Sequence, residues 1–198
     1  MSASHHSAEE SQAQPGISIA EYDRLVGQIL DGSLDDSALT KAMDMLRIEF
    51  EANFVTLILK IPGVEDIGLM LVSGAIPAQG QLTYLTYHRN RTPFTNRQVD
   101  AVFTQRDFMG DTEWEQTDYY KEYCRGQDVY HVMGADISTE TEGVFRFRIT
   151  RPKTDPAFSE ADKAKCRLFV PHLRRALHIH NLLGRSESLG TIYADAIN

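Results

Sequence analysis

Gly143-Val144-Phe145-Arg146-Phe147-Arg148-Ile149-Thr150-Arg151 decides the fold. Phe145, Phe147 and Ile149 alternate with Arg146, Arg148 and Thr150. Side chains of a strand point alternately to its two faces, so this period of two predicts a strand with one buried and one polar face. Just upstream, residues 129–137 read as its hairpin partner. Phe54-Val55-Thr56-Leu57-Ile58-Leu59 and Ile67-Gly68-Leu69-Met70-Leu71-Val72, separated by the breaker Pro62-Gly63, read as another hairpin in a covered sheet.

Helices lie outside these strands. Ser18-Ile19-Ala20-Glu21 has the capping-box form, and Ile19, Tyr22, Leu25, Val26, Ile29 and Leu30 follow at helical spacing, with a stop at Gly32. Leu39, Ala42, Met43, Leu46 and Phe50 make the stripe of a second helix from about Asp36 to Phe50. Thr95-Asn96-Arg97-Gln98 predicts a helix start leading Val99, Val102 and Phe103 onto one face. Thr112-Glu113-Trp114-Glu115 predicts another, running to Gly126, while residues 82–87 fit strand or helix equally. Ser159-Glu160-Ala161-Asp162 opens a long last helix, in which Pro171 should cause a kink or a restart. The order helix-helix, strand-strand, helices, strand-strand, helix predicts an α+β fold of GAF or PAS kind. It has an antiparallel sheet flanked by helices and a long C-terminal helix. Residues 1–16 read as a disordered tail, 17–158 as the core, and 159–198 as a signalling and dimerisation helix.

Composition narrows the function. The 198 residues suit one domain, with 42% apolar and 24% charged residues. A net charge of −8 argues against this chain gripping phosphate backbones by itself. No apolar run approaches the roughly 20 residues of a membrane helix, and residues 1–14 lack the apolar stretch of a secretory signal, so a cytoplasmic protein is expected. Cys124 and Cys166 lie too far apart in sequence for a C-x-x-C motif and read as reduced thiols. His5 and His6 sit in a polar tail. His172, His178 and His180 do not share a helical face as an i, i+4 ligand pair would, so neither a metal site nor a cofactor is expected. Phosphate loops, nucleophile elbows and zinc-protease motifs are missing. The carboxylates Asp107, Asp111, Glu113, Glu115 and Asp118 read as solvated helix starts.

The aromatic segment Trp114, Tyr119, Tyr120 and Tyr123, with Arg146 or Arg148 on a nearby strand, is the candidate site for an anionic or aromatic ligand. The other reading has these rings packing their helix onto the sheet. On the last helix, Phe169, Leu173, Ala176, His180 and Leu183 are spaced 4, 3, 4, 3. This two-heptad seam predicts a homodimer helix.

Asp155-Pro156-Ala157-Phe158-Ser159-Glu160-Ala161-Asp162, followed by Phe169-Val170-Pro171-His172-Leu173-Arg174-Arg175-Ala176-Leu177, resembles the end of the sensor region in bacterial LuxR-type regulators. Asp118-Tyr119-Tyr120-Lys121-Glu122-Tyr123-Cys124 is similar to an element preceding the second hairpin there. The resemblance implies a sensing domain that feeds a C-terminal helix-turn-helix, usually in a dimer. That DNA-binding unit has no counterpart before Asn198, so DNA contact is expected only through a further domain. The acyl-homoserine-lactone pocket set of the family cannot be placed on this sequence. Arg174, Arg175, His178, Asn181 and Arg185 lie largely off the seam, where they read as a solvated face or as a surface transmitting a rotation. The alternatives are a small GAF-type thiol enzyme using Cys124 and Cys166, and a ligand-free interaction module.

Overall fold

The computed structural model describes residues 14–60, 67–75, 91–94, 97–139 and 143–197, with side chains for 14–58, 70–75, 91–94, 97–139 and 143–183. The expected N-terminal tail and residues 82–87 therefore lie outside the described residues or at their edge.

Five strands form one antiparallel sheet in the order β2-β1-β5-β4-β3: β1 (Phe54–Lys60), β2 (Ile67–Ser73), β3 (Phe103–Thr104), β4 (His131–Ser138) and β5 (Val144–Arg151). Both expected hairpins form. The two are joined by β1 and β5, which pair along their whole length, Phe54 opposite Thr150 and Lys60 opposite Val144. This makes β5 the central strand, flanked by β1 and β4.

Helices α1 (Ile19–Asp31), α2 (Asp36–Glu49) and α4 (Glu160–Ile197) cover one face of the sheet. Ser18 caps α1 through the Glu21 N–H at 3.2 Å, and Asp35 caps α2 through the Ala38 N–H at 2.7 Å. At the start of α4, the Ser159 and Asp162 side chains each accept from the other's backbone N–H, as a capping box requires. Leu25, Ile29, Met43, Leu46, Phe169, Leu173 and Leu177 pack against Val55, Leu57, Met133, Ala135, Ile137, Phe145, Phe147 and Ile149 in one continuous core. The alternation along β5 thus sends its two phenylalanines and its isoleucine under the helices. Arg151 ties three elements together. Its guanidinium donates to the Phe50 carbonyl at the end of α2 at 2.7 Å and lies 3.4 Å from Asp162 at the start of α4.

Three expectations change. The segment after Arg97 is not a helix: Val99 bridges to Asp136, Asp100 takes φ +64°, and Phe103–Thr104 pairs with β4. The open edge of β4 offers unpaired backbone groups, and satisfying those outweighs the amphipathic helical pattern. The third helix begins earlier than expected, with Gly110 as cap and α3 spanning Asp111–Gln116. The chain then passes through a π turn at Tyr120–Cys124 and ends at Asp128 (φ +55°) rather than Gly126. Finally, α4 does not restart at Pro171 but continues through it as one helix of 38 residues, about 57 Å at 1.5 Å per residue. Packing of Phe169, Val170 and Leu173, all at most 3% exposed, holds the turn around the proline in place.

Candidate functional site

The opposite face of the sheet carries Phe54, Thr56 and Ile58 of β1, Met70 of β2, Val132 and Asp136 of β4, and Arg146, Arg148 and Thr150 of β5. It is not open to solvent. The loop around Phe94, α3 and the turns after it roof it over, leaving Arg146 and Arg148 only 6% and 9% exposed. The polar face expected of β5 is therefore buried as well, and its arginines point into a second layer. Between sheet and roof lies a small cavity of about 50 Å³, below the roughly 300–1,000 Å³ of ligand-sized pockets, so a ligand of that size would have to widen it.

Ring and methyl groups of Phe54, Ile58, Met70, Phe94, Val129 and Val132 form most of the wall, with Tyr119 and Tyr123 from the roof. Polar groups enter from the floor as Thr56, Thr150, Arg146 and Arg148, and beside Phe94 as Thr92. Four of the six residues expected at the site, Tyr119, Tyr123, Arg146 and Arg148, do line it. Trp114 and Tyr120 do not. Trp114 is fully buried behind the wall, 5.5 Å from the Phe94 ring centroid and 5.3 Å from that of Tyr120, and its indole N–H finds no hydrogen-bond acceptor among the described residues. Trp114 and Tyr120 thus pack their segment onto the sheet, while Tyr119 and Tyr123 face the cavity. Thr56 went unnoticed in the sequence, although it is the polar break in an otherwise apolar strand and sits directly opposite Arg148 in the ladder.

Arg148 is held on every side. One Nη donates to the Ala135 carbonyl at 3.0 Å and to that of Phe147 at 2.9 Å. The other donates to the Phe94 carbonyl at 3.2 Å and to Asp136 Oδ1 at 2.6 Å. The guanidinium carbon lies 4.8 Å from the Phe103 ring centroid, in cation–π range. Gly134 makes this posture possible. A Cβ there would stand 2.2 Å from the Phe147 carbonyl and 2.8 Å from Arg148 Cδ, so only glycine lets the side chain cross β4. Asp136 faces Arg146 directly across the ladder. Asp136 and the two guanidinia thus make this layer polar and charged beneath its apolar walls.

The remaining candidates separate by burial. Phe169, Leu173 and Ala176, taken above as a dimer seam, are at most 1% exposed inside the intramolecular core. Heptad spacing marks an apolar stripe but not its partner, and here the partner is the chain's own sheet and α1. His180 lies 3.2 Å from Asp36, and Leu183 is 42% exposed. His172 meets the Tyr22 hydroxyl at 2.8 Å, and burial depresses its pKa, so it joins α1 to α4 as a neutral ring. Of the acidic cluster, Asp111 pairs with Arg106 and Glu115 with Lys153, which makes them surface ion pairs. Among the described residues no group of three or more potential ligands could hold a metal ion, and no helix is long and apolar enough to cross a membrane.

The two thiols lie on opposite faces of the sheet, Cys166 on the inner side of α4 and Cys124 in the aromatic layer. Both are fully buried. Burial pushes Cys166 up to about 12 and raises Cys124 further. A thiolate nucleophile needs a lowered pKa and access, and a disulfide needs Cα atoms within about 7 Å. The sheet between the two thiols works against both requirements. Both cysteines are expected to resist a thiol reagent at pH 8 in the folded chain and to react at once in denaturant. Fast labelling of either in the native state would contradict this placement.

No family model matches the chain, and no curated protein matches it in sequence. Solved structures do match in fold. SdiA of Escherichia coli superposes with a TM-score of 0.60 at 12% identity, over 81% of this chain and 68% of that one, and SdiA has also been solved with octanoyl-rac-glycerol. The ligand-binding domain of VqsR from Pseudomonas aeruginosa gives 0.58 at 15% identity, over 80% and 95%. The free methionine-R-sulfoxide reductase of Neisseria meningitidis, solved with its substrate, gives 0.50 at 12%, over 85% and 96%. The fold is the α+β, GAF-like one shared by ligand-binding domains of LuxR-type regulators and by GAF domains.

Proposed function

We propose that this chain is the signal-sensing region of a LuxR-type transcription regulator. In this reading a small molecule occupies the cavity over β1 and β5. Its presence is passed along α4 to a helix-turn-helix beyond this chain, in a cytoplasmic homodimer. The observation that carries it is the lining of the cavity: apolar and aromatic walls beneath a roof, over a floor that presents two threonines and two guanidinia. Such a site favours a ligand with a ring-bearing or apolar body and one acidic or acceptor-rich end. Threonines 56 and 150 and the guanidinia would take the polar end, while Tyr119, Tyr123 and Phe54 would flank the body. For the dimer, Ile179, Leu182 and Leu183, each at least 40% exposed past the core-packed half of α4, offer the apolar contact. The buried, separated thiols speak against the reductase chemistry of one fold neighbour.

Native mass spectrometry of the chain from its expression host tests this reading. The expected result is a dimer carrying a non-covalent small molecule that is lost on denaturation. Thr56→Trp, which fills the floor, should abolish the extra mass. A clean monomer would overturn the dimer. A chain that carries no small molecule, and that no metabolite extract stabilises against heat, would overturn the ligand reading.

A further inference from the structure

The floor of the cavity is wired to the long helix. Arg148 holds the Asp136 carboxylate at 2.6 Å, and the Asp136 carbonyl accepts the Asp100 N–H at 2.7 Å. Asp100 in turn places its carboxylate on Arg174 of α4, with Oδ1 accepting from Nε at 3.2 Å and Oδ2 paired with Nη2. Each link is a polar contact, and β4 is the strand that separates the cavity from α4. Asp100 also sits at φ +64°, a left-handed conformation that aspartate adopts more readily than most side chains but less freely than glycine. Here it is held by the β4 carbonyl on one side and the Arg174 guanidinium on the other. Arg174 belongs to the run that resembles the family, yet it touches neither the cavity nor the intramolecular core.

We propose that Arg148, Asp136, Asp100 and Arg174 form a latch that ties the position of α4 to the state of the cavity. Ligand groups that draw the Arg148 guanidinium off Asp136 free that carboxylate to shift. The β4 edge then releases the Asp100 N–H, Asp100 leaves its left-handed conformation, and α4 loses its polar anchor. The anchor falls about one turn before the core-packed stretch, which runs to Leu177, gives way to the exposed residues from Ile179 on. Release there moves the outer half without unpacking Phe169 or Leu173. This rests on the cavity being the ligand site.

The test uses the ligand-free chain, so it stands or falls separately from the search for a ligand. Amide hydrogen exchange is followed along α4 in wild type, Asp100→Gly, Arg148→Met and the double variant. Glycine takes φ +64° freely, so Asp100→Gly removes the carboxylate with the backbone course retained. An exposed ion pair of this kind gives about a twofold to fivefold change in local opening. Amides of residues 173–183 should therefore exchange about that much faster in Asp100→Gly. Arg148→Met, a change on the far side of the sheet, should produce the same acceleration, and the double variant no more than either. Exchange in α1 reports any global loss of stability, and Ile58→Ala, a cavity change outside the latch, should leave α4 at the wild-type rate. Unchanged α4 exchange in Arg148→Met overturns the latch. So do effects that multiply in the double variant, or an equal response to Ile58→Ala.

Discussion

Asp136→Ala is expected to lower the unfolding free energy by about 3–5 kcal/mol, the range for breaking a buried ion pair. Asp136 is 5% exposed and stands between two guanidinia, bonded to Arg148 and opposite Arg146. Its removal leaves the Arg148 guanidinium without its carboxylate, 9% exposed and unable to turn to water. Adding Arg148→Met restores the original charge balance with a side chain of similar length. The double variant should then regain a large part of the loss even though it carries one more substitution. Trp114, the chain's single tryptophan and fully buried against Phe94, reports the transition in a urea titration by fluorescence. A double variant no more stable than Asp136→Ala would mean that the charge balance of this layer contributes little.

Phe169→Ala should cost a similar amount, about 3–5 kcal/mol, for a different reason: a cavity left in a packed core. The Phe169 ring sits 6.4 Å edge-on from Phe50 and 5.7 Å from Tyr22, where α1, α2 and α4 meet. Because its contacts lie within one chain, the loss should be the same at low and high protein concentration. A residue of an intermolecular seam would instead give a loss that varies with concentration by mass action. Midpoints measured over a hundredfold dilution separate the two, and a strong concentration dependence confined to this variant would return Phe169 to the seam.

Both expectations rest on placements that were legible in the sequence to different degrees. The alternation of Phe145, Phe147 and Ile149 with Arg146, Arg148 and Thr150 identified β5 because the period of a strand is a local property. The caps at Ser18 and Ser159 were equally readable, since a capping contact spans three residues. Tyr119, Tyr123, Arg146 and Arg148 could be nominated for the site because aromatic and basic residues in those elements have few other uses. The strand at Phe103–Thr104 was not readable. Residues 97–104 carry a pattern that suits a helix, and only the exposed edge of β4 makes the extended course preferable.

By itself the sequence determined the two hairpins, the first two helices and the last one, their α+β order, the absence of familiar catalytic motifs and the apolar stripe of the last helix. These follow from periodicity, turn chemistry and side-chain type, all of which act over a few residues. Only the tertiary structure decided what each stripe faces. It put the arginine face of β5 under a roof instead of in water, gave Phe169, Leu173 and Ala176 to the core and not to a partner, and set Cys124 and Cys166 on opposite sides of the sheet. It also joined Arg174 to Asp100, 74 residues away in sequence. Burial and ion pairing depend on which elements are stacked together, and local pattern is blind to the identity of the neighbouring layer.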